Sequence, residues 1–134
     1  MFERKAYEKM LRWHRSADRT ALLVRGARQI GKSTLVRHLG ETCYDVFVEV
    51  NLYSDPAAKE ALANARNTEE LLSRISLMAA SPLEPGRTLI FIDEIQELPD
   101  IITMAKFLVE DGRFHYALSG SMLGTELRQV GSYP

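Results

Sequence analysis

The sequence has one cysteine, Cys43, so no disulfide can form within the chain. It has no apolar run near the roughly 18–20 residues that span a bilayer, which removes a helical membrane class. Residues 1–15, MFERKAYEKMLRWHR, are charged throughout and lack an apolar centre, so they do not read as a secretory signal, and the cytoplasm is the expected compartment. Neither sign of charge is in excess. With 17 basic and 18 acidic residues the net charge is −1, which gives no support to general nucleic-acid affinity, although Arg and Lys crowd into the first 37 positions. Internal repeats and low-complexity tracts are missing as well. An Asn-Lys-x-Asp guanine-binding loop does not occur either. What remains is an ordinary globular composition, 46% hydrophobic and 26% charged over 134 residues, enough for one domain with its own core.

Along the chain, apolar Phe2, Ala6, Tyr7, Met10, Leu11 and Trp13 fall largely at helical spacing, which predicts a lead-in helix within residues 1–18. The run 21–24 is too short for a helix and reads as a buried strand running into Gly26. Residues 32–39 suit a helix closed by Gly40, with Cys43 expected as a small buried apolar residue at a helix end. VFVEVNL, 46–52, is a second strand. Asp55 before Pro56 predicts an N-cap with proline at the first helical position, and another helix opens at Asn67 and runs to about Ala80. The turn 81–86 leads to a third strand, 89–92, ending on Asp93-Glu94. A helix over 101–110, stopped by Asp111-Gly112, precedes a fourth strand at 114–118. Alternating strands and helices predict an α/β fold, a parallel sheet covered on both faces.

The chemistry centres on Gly26-Ala27-Arg28-Gln29-Ile30-Gly31-Lys32-Ser33, which matches G-x-x-x-x-G-K-[ST] in the strand-to-helix context that this phosphate-binding loop requires. Glycines 26 and 31 let the backbone approach phosphate closely, and successive N–H groups form a concavity for an anion. The following helix adds its unsatisfied amides and the positive end of its dipole. Lys32 is placed to reach the β- and γ-phosphates, and the Ser33 hydroxyl to ligate Mg²⁺. A nucleoside triphosphate, foremost ATP, is the expected ligand. Arg28 and Gln29 must point away from the phosphate, and an outward interface role stands beside a ligand role.

In LIFIDE, four apolar residues bury the strand and the first carboxylate arrives at the carboxyl edge of the sheet, where open α/β sheets bind ligands. Asp93 is the expected Mg²⁺ carboxylate opposite Ser33. Glu94 is the candidate for polarising the attacking water, so Lys32 and Glu94 are the catalytic candidates. Ser119 and Ser121 close the fourth strand as alternative hydroxyls toward the γ-phosphate or the water, or as cap and turn residues. His14, His38 and His115 are scattered and not expected to ligate metal, and Tyr7 and Trp13 are expected to pack.

The strings LLVRGARQIGKSTLVRHL, LIFIDEIQELP and YALSGS resemble a bacterial and archaeal group of AAA-type ATPases with a GARQ-x-GK[ST] loop, a DEIQ strand end and a Ser-rich sensor. Arg4, Tyr7, Leu11 and Trp13 are similar to that group's lead-in helix. The resemblance implies a three-layer P-loop fold with sheet order 5-1-4-3-2 and adds Thr34 to the nucleotide loop. It also implies Asp93 and Glu94 as metal and catalytic carboxylates, and Ser121 or Ser119 as first sensor. Members of the group are mostly longer, so 1–134 reads as a core whose fifth strand, lid and second sensor lie beyond Pro134. The expected activity is ATP hydrolysis that drives that further region. The alternative is a nucleotide-dependent switch or interaction module with little turnover. A missing fifth strand would leave residues 21–25 as an open sheet edge and favour self-association.

Overall fold

Short apolar runs of β-branched and aliphatic residues set the strands, and the computed structural model describes residues 4–16, 20–25, 30–120 and 131–132. The elements run α1 (Arg4–Arg15), β1 (Ala21–Arg25), α2 (Ile30–Cys43), β2 (Val46–Asn51), α3 (Pro56–Ala63), α4 (Thr68–Leu77), β3 (Thr88–Asp93), a 3₁₀ turn (Ile95–Glu97), α5 (Asp100–Asp111), β4 (His115–Gly120) and β5 (Gly131–Ser132). All strand pairs are parallel and the spatial order is β2-β3-β4-β1-β5.

Because side chains alternate along a strand, each central strand feeds two cores. Leu89 and Phe91 of β3, with Leu22 and Val24 of β1, pack under α1 and α2 against Met10, Trp13, Leu35, Val36 and Leu39. Ile90, Ile92, Leu23 and Leu118 face the other way, into the layer of α3, α4 and α5. These three layers, helices on both faces of a parallel sheet, are those expected for an α/β chain of this pattern. Among the described residues no helix is long and apolar enough to cross a membrane.

Local signals act as read. Asp55 Oδ1 accepts from the Ala58 N–H at 3.2 Å with Pro56 opening α3. Asn67 Oδ1 accepts from Glu70 N–H at 2.8 Å, while Glu70 reaches back to the Arg66 N–H at 3.1 Å. Gly112 stops α5 with φ +78°.

Two expectations need correction. Gly40 does not close α2, which continues to Cys43; the Phe47 ring of β2 lies where a Cβ at Gly40 would stand, so this glycine permits close helix–strand approach. The fifth strand is also not absent. Gly131 and Ser132 pair with Ala21 and Leu22, completing the 5-1-4-3-2 order within the chain, and the case for association through β1 weakens accordingly. Two small residues carry no hydrophobic pattern, so nothing in the sequence marks them as a strand.

The lead-in helix is tied to the body at its C-terminal end. Trp13 Nε1 donates to the Thr20 carbonyl at 2.6 Å. His14 and His115 meet through one hydroxyl, with Tyr44 Oη 2.9 Å from His14 Nδ1 and 2.6 Å from His115 Nδ1.

Candidate functional site

Strands β1, β3 and β4 end at the same edge of the sheet, and α2 begins there, so the order of elements gathers the candidate residues. Residues 26–29 of the loop and Ser121 lie outside the described residues, as do the side chains of Ile30 and Lys32. Gly31, Lys32, Ser33 and Thr34 all belong to the first turns of α2, the end of a helix that offers unpaired amides to an anion. Open space surrounds the position a Cβ would take at Gly31, and Thr34 is exposed.

Asp93 is the hub. Its Oδ2 accepts from Ser33 Oγ at 3.3 Å and from Asn51 Nδ2 at 3.1 Å, and its Oδ1 accepts from Ser119 Oγ. Asp93 and Glu94 are 5% and 4% exposed, so they are not a solvated strand end; a buried carboxylate needs such donors. Ser119 serves both residues, because its hydroxyl also accepts from the Glu94 N–H at 3.1 Å.

Glu94 has φ +60° and ψ +49°, the single positive φ among the described non-glycine residues. A left-handed residue with a side chain costs about 1–3 kcal/mol and persists where its surroundings hold it. Here the Ser119 hydroxyl fixes its N–H, and its carbonyl accepts from Glu97 N–H at 3.0 Å to start the 3₁₀ turn. Its carboxylate Oε1 accepts from Gln96 Nε2 at 2.7 Å. Gly120, with φ +156°, makes room for this arrangement: a Cβ there would run into Gln96 Oε1 and lie 3.1 Å from Ile95 Cγ2.

Sequence reasoning missed Asn51 and Gln96. Asn51 stands in register with Asp93 on the neighbouring strand, and its Oδ1 accepts from the Tyr53 and Ser54 amides at 2.9 Å each. Those two bonds fix which end of the carboxamide faces Asp93. The signal was a lone amide at the end of VFVEVN, at the same sheet edge as the aspartate.

Among the described residues no group of three or more His, Cys, Asp or Glu side chains could cage a metal. A Ser33 hydroxyl beside the Asp93 carboxylate is a hard oxygen pair, the donor set suited to Mg²⁺, which keeps waters and phosphate oxygens as its other ligands. The residues present fit that ion.

A parallel sheet in this order between two helical layers, with a helix opening beside a buried strand-end aspartate, is a P-loop NTPase-like fold. A family model described as an AAA domain matches residues 18–134, and the chain belongs to that family, whose members are generally nucleotide-binding ATPases. No curated protein matches the chain.

Proposed function

We propose that the chain binds ATP with Mg²⁺ at the start of α2 and hydrolyses it to ADP and phosphate. The observation that carries this reading is the Ser33–Asp93 hydrogen bond, which links the phosphate-binding end of α2 to the end of β3. In this reading the loop 26–31 and the amides of α2 hold the β-phosphate, and Thr34 lies beside it. Lys32 neutralises β/γ charge, and Ser33 with Asp93 holds Mg²⁺. The ion, when bound, offsets the charge that develops on the phosphate oxygens. Asn51 and Ser119 hold the Asp93 carboxylate in place. Glu94 takes the proton of the attacking water or orients it, with Ser119 or Ser121 beside the γ-phosphate.

A second reading, a switch that binds ATP with little turnover, is favoured by one feature: Glu94 Oε1 is already engaged by Gln96 at 2.7 Å. Glu94→Gln separates the two. Under the hydrolytic reading it keeps Mg·ATP affinity and lowers kcat on the order of 10²-fold or more. Phosphate release at an unchanged rate would remove Glu94 from the chemistry.

A further inference from the structure

The outward face of α1 carries charge that the nucleotide site does not use. At about 100° per residue, Arg4, Lys5, Glu8, Lys9, Arg12 and Arg15 fall within one arc of about 140°. All six are exposed, while Met10 and Trp13 on the opposite side are buried. The helix holds five Lys/Arg and one acidic residue, which leaves twelve basic against seventeen acidic residues on the rest of the chain. None of the five cations makes an ion pair with a described residue. Cations recur roughly once per turn, about every 5.4 Å along the axis. The helix also precedes the matched family span, which begins at residue 18.

We propose that this face of α1 binds the phosphodiester backbone of double-stranded nucleic acid, without reading its sequence. The triphosphate of ATP is not its ligand. The helix packs along the C-terminal half of α2, with Tyr7 Oη 3.1 Å from Thr42 Oγ1 and its ring 5.1 Å from that of His38, away from the phosphate end. Insertion into a lipid surface would need the apolar face, which the body of the protein already occupies. A protein partner would want an apolar or aromatic anchor, and every exposed residue on this face is charged. The same lack of exposed aromatics argues against a stacked single strand. A row of cations without an anchor is what a duplex backbone needs.

The test is fluorescence anisotropy of a labelled DNA duplex with the full chain, read across a salt series. Five phosphate contacts predict a slope of log K against log salt near −4.5, a loss of two to three orders of magnitude between about 50 and 200 mM. Lys9→Glu with Arg12→Glu should lower the slope by about two and weaken binding at least tenfold, with the thermal midpoint and Mg·ATP affinity unchanged. If that pair perturbs folding, Arg4→Glu with Lys5→Glu, at the helix start, carries the same comparison. The proposal is overturned by absent duplex binding at about 50 mM salt or by binding indifferent to either pair. It is equally overturned by stronger binding to polyglutamate or to phosphatidylserine vesicles than to the duplex.

Discussion

At Ser119 one hydroxyl satisfies two buried groups, accepting from the Glu94 N–H and donating to the Asp93 carboxylate. Ser119→Ala leaves both without that partner in a region shielded from water. The expected loss is about 2–4 kcal/mol, since an unsatisfied buried group costs about 1–3 kcal/mol and Asp93, which keeps its Ser33 and Asn51 donors, contributes at the low end; urea denaturation would read it. A loss below about 0.5 kcal/mol, the ordinary range for an inconsequential substitution, would mean that the two groups find other donors. Asn51 permits a finer separation. Asn51→Asp keeps the acceptor used by the Tyr53 and Ser54 amides and replaces the donor facing Asp93 with a second carboxylate. Like charges in contact should lower the thermal midpoint by several degrees at neutral pH, and Mg²⁺ should restore more of that loss than it adds to the wild type. A variant as stable as the wild type, with the same response to Mg²⁺, would limit Asn51 to the turn.

Among the elements, α2 bears two demands: its first turn carries the proposed phosphate site and its last half lies against β2 through Gly40 and Phe47. Gly→Ala within a helix normally gains about 1 kcal/mol of propensity. At Gly40 the new Cβ would enter the Phe47 ring, and overpacking costs about 1–3 kcal/mol, so Gly40→Ala should destabilise on balance. With Phe47→Ala in place, the same substitution should stabilise; a double-mutant cycle checks the change of sign. This contact also shows where sequence reasoning stops. The strands were legible because VFVEV, LIFI and YAL carry their apolar character locally, and Asp93-Glu94 was legible because it ends such a run. Asn51, Gln96 and the Gly40–Phe47 contact depend on which strands and side chains become neighbours, which no single segment encodes. The two-residue β5 has no apolar signal at all.

For the whole molecule, the AAA-domain family and the sheet order define a nucleotide-binding architecture, and the hydrogen bonds around Asp93 tie three strands to α2 at one edge. A ligand held at that edge is expected to stabilise the entire fold by mass action rather than one element. The most direct measurement is calorimetric titration of ATP, with and without Mg²⁺, into the wild-type chain and Lys32→Ala. The account predicts Mg²⁺-dependent binding that the substitution weakens by on the order of 2–5 kcal/mol, as expected for loss of a charge in contact with phosphate. Equal affinity in the two proteins, or binding indifferent to Mg²⁺, would contradict it.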